Sequence, residues 1–370
     1  MSQRVFIDFL DNETPGSQPG DIDELERWWV DRQVALEQAG YMLRSRYRPG
    51  WKPSWVGTKK YYLDFEDGQG VGLRLGMDAT RISDGKPVML KLIPEDEEGP
   101  YELEINQLFS TEPLASDPRN HCVHLLDVIR LPNDPPIIVH PLLRPFYDPH
   151  LQTYGEFVTF FAQICEGVQF MHENNVAHRD CTSENIMLDP SNMYPESFHP
   201  VEIDRSKDFR RKAKWYSRTR RPTKYLLIDF GLSRRYDPAN GPPLDKPIRG
   251  GDKSAPEHQD MATPYNPFPT DVYYLGNLIR EYYMQKYQGF EFMEPLVTDM
   301  VQNDPTKRPT MGEVVTRFSE IRGKLSTWKL RSRIARKFEL WPVTAWKSVC
   351  HWYRTVGYIL GRKAAIPEPK

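Results

Sequence analysis

His178-Arg179-Asp180-Cys181-Thr182-Ser183-Glu184-Asn185 sets an acid and an amide five positions apart, just after an apolar run of helical spacing. Phosphoryl transfer needs a carboxylate beside the attacking hydroxyl and a second oxygen ligand for a divalent cation, and one loop of this spacing can supply both. Alone, the pattern is weak. Further on, the apolar run Tyr225 to Ile228 ends in Asp229-Phe230-Gly231. A second acid therefore emerges from a strand end, where it can reach a cation that bridges two phosphates.

Downstream stand Ala255-Pro256-Glu257, then Asp271-Val272-Tyr273-Tyr274-Leu275-Gly276, then Asp304-Pro305-Thr306-Lys307-Arg308-Pro309-Thr310. Taken in this order, the motifs resemble the C-terminal lobe of the eukaryotic protein kinase superfamily, and the likeness covers about residues 75–322. The overall pattern also resembles divergent kinase-like proteins of filamentous fungi. The resemblance implies an α+β, two-lobed fold with a small β-rich N-lobe and a larger helical C-lobe. It implies ATP and Mg²⁺ as cofactors and a protein hydroxyl as acceptor, serine or threonine by default. Asp180 is then expected to orient the substrate hydroxyl or accept its proton, and Asn185 and Asp229 to hold the metal. Lys91, closing the apolar strand Val88–Ile93, is expected to reach the phosphates. Its acidic partner is expected to be Glu104, because Glu104-Ile105-x-x-Leu108 matches the family's spacing, with Glu102 in reserve. Adenine is expected at a hinge through Pro141 to Leu143, using the Pro141 carbonyl and the Leu143 backbone, with Met89 and Leu188 also lining the nucleotide site. Glu257 is expected to pair with Arg308, and Asp271 to hold the catalytic-loop backbone. The Glu257 and Arg308 pair argues against a small-molecule kinase.

Four departures from the family pattern bear on activity. The nearest glycine-rich stretch, Gly68-Gln69-Gly70-Val71-Gly72, has the wrong spacing for a phosphate-covering loop. Met89 stands where the family has alanine against adenine. Thr182 replaces the catalytic-loop lysine, removing a cation from a reaction that rests mainly on electrostatic stabilisation. The activation segment from Asp229 to Glu257 holds no threonine. Either Asp245 or Asp252 takes the place of a phosphorylated residue opposite Arg179, or there is no such switch. Two readings therefore stand: an active protein kinase, and a pseudokinase acting as a nucleotide-binding or scaffold module.

Outward from this centre the chain divides into an N-terminal extension (1–60), a kinase domain (N-lobe 61–142, C-lobe 144–322, insert 190–224) and a basic tail (323–370). Residues 1–20 read as a loose leader. Asp21 with Glu24 reads as a capping box opening a helix through about Leu43. A helix over Tyr101–Phe109 and strands over Val123–Arg130 and Pro136–Leu142 complete the small lobe. Phe157, Phe160, Phe161, Ile164, Val168 and Met171 recur at buried-helix spacing. Arg205 to Lys224 carries ten basic residues and reads as a solvated loop, with docking of an acidic partner as the sharper alternative. Leu325 to Phe338 suits a basic amphipathic helix packed on the lobe. A net charge of -2 gives no reason to expect nucleic acid. Four scattered cysteines without CxxC spacing, and no apolar run of signal length near Met1, point to an intracellular protein. Trp341 to Leu360 is broken by Lys347, His351 and Arg354, so no membrane span is expected.

Overall fold

The computed structural model describes residues 20–73, 75–94, 99–248 and 252–369; the leader expected over residues 1–20 lies, but for Gly20, outside them. Helix α1 (Glu24–Gln38) opens the described chain. Its capping box is Asp23 with Glu26, two residues later than the expected Asp21 and Glu24. Glu26 decides the register: its carboxylate is also held by the Arg46 guanidinium and the Tyr47 hydroxyl, both buried. The helix does not run to Leu43. Gly40, at φ +96°, turns the chain, and Tyr41–Leu43 becomes strand β1.

Five antiparallel strands form one sheet in the order β1-β2-β3-β5-β4, with β2 Gly76–Arg81, β3 Pro87–Leu92, β4 Asp127–Ile129 and β5 Ile137–Pro141. The expected boundary at residue 61 is therefore too late, because β1 pairs with β2 from Tyr41↔Arg81 to Leu43↔Ala79. Alternation gives the sheet two faces. Met77, Ala79, Val88, Leu90, Ile137 and Val139 face α1 and close a small core with Trp29, Leu36 and Tyr47. Asp78, Met89 and Lys91 face the other way, toward the interlobe cleft. Helix α2 (Gly99–Phe109) follows β3.

The lower lobe is built on α3 (Tyr154–Glu173), most of whose residues are buried. Around it stand α4 (Phe268–Leu278, extended by a π-helical turn Ile279–Met284), α5 (Glu294–Met300) and α6 (Met311–Lys324). Short strands β6 (Arg144–Pro145), β7 (Val176–Ala177), β8 (Ile186–Leu188), β9 (Tyr225–Leu227) and β10 (Arg234–Arg235) line the cleft floor, in pairings β6-β8-β9 and β7-β10.

The 190–224 insert is anchored near its two ends, while nine of the ten basic residues of Arg205 to Lys224 stand exposed, as a solvated segment should. Met193, Tyr194, Phe198 and Thr219 are buried, and the buried Arg144 guanidinium lies 4.6 Å and 4.8 Å from the Tyr194 and Phe198 rings. Arg218 donates to the Phe146 and Pro149 carbonyls. Arg218 is the single basic residue of that stretch that binds inward.

The tail departs too. Helix α7 covers only Thr327–Arg331. Beyond it the chain runs extended, Ile334 donating to Gln152 and Gln288 donating to the Ala335 carbonyl. These backbone partners pull the segment out of the expected 325–338 helix. A longer helix, α8 (Trp341–Leu360), follows. No helix among the described residues is long and apolar enough to cross a membrane.

Candidate active site

Asp271, fully buried on α4, organises the catalytic loop. Its carboxylate accepts from the His178 and Arg179 backbone N–H groups at 2.8 Å and 2.7 Å, and His172 lies 2.9 Å from it. These bonds hold Arg179 at φ +68°, a conformation an arginine adopts only when its surroundings enforce it. The loop then presents Asp180 into the cleft. Asn185, on a 3₁₀ turn, donates to one Asp180 carboxylate oxygen at 2.7 Å and to the Asp180 carbonyl at 3.0 Å. The other oxygen, Oδ1, is buried and has no protein partner. Burial first, and the nearby Asp229 charge, push the Asp180 carboxyl above its ordinary value.

Asp229 sits at the end of β9 with φ +62°, its side chain half exposed. Lys91 Nζ lies 2.8 Å from Asp229 and 2.5 Å from Glu102. Burial raises the Asp229 carboxyl, but the lysine outweighs it and the net shift is downward. Burial likewise works against the Lys91 charge, and the two acids reverse that effect. The expected partner Glu104 is a correction: it is exposed, and Glu102 is the acid within reach. Glu102, Ile105, Asn106 and Phe109 are the buried stripe of α2, spaced i, i+3, i+4, i+7. Glu104 is two residues out of phase with that stripe, which is the signal that identifies Glu102. Phe230 stacks the site together, its ring centroid 5.6 Å from His178 and 6.5 Å from Phe109.

Pro141 ends β5, Leu143 follows it half-buried, and Leu188 is fully buried on β8. Met89 pairs across the sheet with Asp78 on one side and His140 on the other, so all three share the cleft face. His140 was not singled out from the sequence, although an imidazole in an otherwise apolar strand is a visible anomaly. Its Nε2 lies 2.9 Å from the Asn106 side-chain oxygen, tying β5 to α2. Burial first, and then the Lys91 charge, lower its pKa to about 3.

The roof of the cleft is rebuilt. Residues 44–75 occupy the β1–β2 connection, where a phosphate-covering loop is expected. Gly68 packs against the Tyr62 carbonyl, and Gly70 against the Glu26 carboxylate. Both are structural positions within the upper lobe. Arg44 binds Asp78 at 2.9 Å and Glu66 at 3.3 Å, and Glu66 lies 3.4 Å from His199 of the insert. A chain of polar contacts thus runs from the sheet's cleft face to the lower lobe.

Arg179 meets Asp245 at 3.0 Å, while Asp252 accepts from Asn277. Of the two acids weighed for that position, Asp245 is the one in contact. Glu257 receives Arg308 in a two-pronged buried bridge at 2.6 Å and 2.8 Å.

The profile of the protein kinase domain matches residues 147–288. The matched segment and the two-lobed fold around it are those of the eukaryotic protein kinase superfamily. Relatives include a probable serine/threonine-protein kinase KIN1 homolog of Encephalitozoon cuniculi, 26% identical over 198 residues, covering 50% of this chain and 28% of that protein. The cell division control protein 2 homolog D of Antirrhinum majus is 32% identical over 130 residues, 31% of this chain and 41% of the relative. The serine/threonine-protein kinase CAK1 of Saccharomyces cerevisiae is 40% identical over 53 residues, 14% of each chain. This chain therefore spans well under two thirds of each of these kinases. The two-lobed kinase fold accounts for the arrangement of both halves of the cleft.

Proposed function

We propose that this kinase-family chain transfers the γ-phosphoryl group of ATP to a protein hydroxyl, with serine or threonine as acceptor. The observation that carries the reading is the convergence in one cleft of Lys91, Glu102 and Asp229 with Asp180 and Asn185. Lys91, held charged by two acids, has the reach to position phosphates. The buried, unpartnered Asp180 Oδ1 is suited to accept a hydrogen bond from the substrate hydroxyl, and its raised pKa favours taking up a proton. The Asn185 side-chain oxygen and the Asp229 carboxylate form a hard-oxygen donor pair that fits Mg²⁺. When bound, the metal supplies charge neutralisation at the phosphates. Pro141, Leu143, Met89 and Leu188 form the proposed adenine site.

The roof supports a second reading, a scaffold that binds nucleotide weakly or not at all. The Arg44–Asp78 pair fills the face that must approach phosphates, and Thr182 leaves the catalytic loop without its cation. The test is transfer of labelled γ-phosphate from Mg-ATP to a generic protein substrate, beside Asp180→Asn. Incorporation abolished in the variant supports the first reading. No incorporation selects the second, and the shift of unfolding temperature with Mg-ATP then tells whether the scaffold still binds nucleotide.

A further inference from the structure

Helix α8 is amphipathic the wrong way round for a helix packed on a protein. Thr344, Ser348, His351, Thr355 and Tyr358 recur at spacings of four and three, one stripe of a helix. This polar stripe is the one that docks: His351 and Thr355 are 5% and 2% exposed. His351 Nε2 lies 2.8 Å from the Arg331 carbonyl, and Tyr358 shares a hydrogen bond with Ser217 at 2.6 Å. The outer face is apolar instead. Trp341, Trp346, Tyr353 and Leu360 are 81%, 70%, 85% and 79% exposed, and Val349, Trp352, Val356 and Ile359 are exposed beside them. A face about 30 Å long, this rich in aromatic residues, is held outward by the polar contacts beneath it.

Charge identifies what covers that face. From Arg331 to Lys363 the chain carries eight basic residues and one acid, Glu339. That acid is already bound by Arg333, Lys347 and Thr344. A second copy of the chain would bring Arg354, Arg362 and Lys363 against a segment as basic as their own. An anionic surface would neutralise them, while tryptophan and tyrosine suit the boundary between headgroups and acyl chains. We propose that α8 is a peripheral docking helix that lies flat in an anionic lipid surface, with its tryptophan face in the acyl boundary.

The test is flotation of the full chain with vesicles of phosphatidylcholine alone or with phosphatidylserine, at about 0.1 M and about 1 M salt. The expected result is binding to the phosphatidylserine vesicles only, with a blue shift of tryptophan emission, and loss of binding at high salt. Trp341→Ser with Trp346→Ser and Tyr353→Ser abolishes binding and leaves the unfolding temperature unchanged. Arg354→Glu with Lys363→Glu weakens it by about tenfold or more. Failure to float with either vesicle overturns the proposal, as does undiminished binding of the aromatic variant. A dimer in sedimentation that the aromatic variant dissolves, while the vesicles stay bare, assigns the face to a second copy instead.

Discussion

The floor and the roof of the cleft are built by opposite strategies. The floor is held by buried anchors: Asp271 under the catalytic loop, Glu257 on Arg308, Phe230 between His178 and Phe109. In the roof, Lys91 keeps its place while its surroundings are remade, with Met89, Asp78 and Arg44 on the cleft face and residues 44–75 in place of a glycine loop. The difference locates the functional question. On the proposed function, the chemistry is set below, and access and affinity for nucleotide are set above.

The comparison breaks first at Asp180. Asp180→Asn is expected to lower phosphoryl transfer by about 10³-fold, read as labelled phosphate incorporated. An unchanged rate would mean the floor is not the catalytic half. Next in size, Arg308→Leu strands the buried Glu257 carboxylate and should cost about 3 kcal/mol of stability in urea unfolding. A loss below a tenth of that would show the anchor to be ornamental.

The His140 contribution is smaller and carries a pH signature. Its folded pKa is depressed to about 3, so between that value and about 6.5 the unfolded chain binds the extra proton. Stability then falls with falling pH in that window, by about 2 kcal/mol between pH 6.5 and 5. His140→Gln, which keeps a donor toward Asn106, should flatten that part of the profile in denaturant titrations at stepped pH. An equally steep profile would assign the dependence to other groups.

Replacing both members of the roof pair, Arg44→Met with Asp78→Val, should tighten Mg-ATP binding about tenfold, or about 1.4 kcal/mol, by calorimetry. Weaker binding would make the pair part of a nucleotide site. Smallest is Glu66→Gln, expected to move stability by about 0.5 kcal/mol, because Glu66 is partly exposed and its partner Arg44 keeps Asp78.

Most of the floor was legible in the sequence because its roles are carried by short motifs whose residues act from adjacent positions: Asp180 with Asn185, and Asp229 at a strand end. Long-range partners such as Asp271 and Arg308 were legible through motif order. Glu102 stood in reserve behind Glu104 because spacing from a motif ignored which face of α2 is buried. His140 was missed because its role comes from neighbours on β3 and α2, far away in sequence.

By itself, then, the sequence determined the two-lobed kinase fold and the acids and amide of the cleft floor, since local order and hydrophobic period are written along the chain. Only the tertiary structure decided the register of α1, the anchoring of the insert through Tyr194, Phe198 and Arg218, the partner of Lys91 and the outward apolar face of α8. Each depends on which side chains desolvate together, and burial is a property of pairs of segments that no single segment carries.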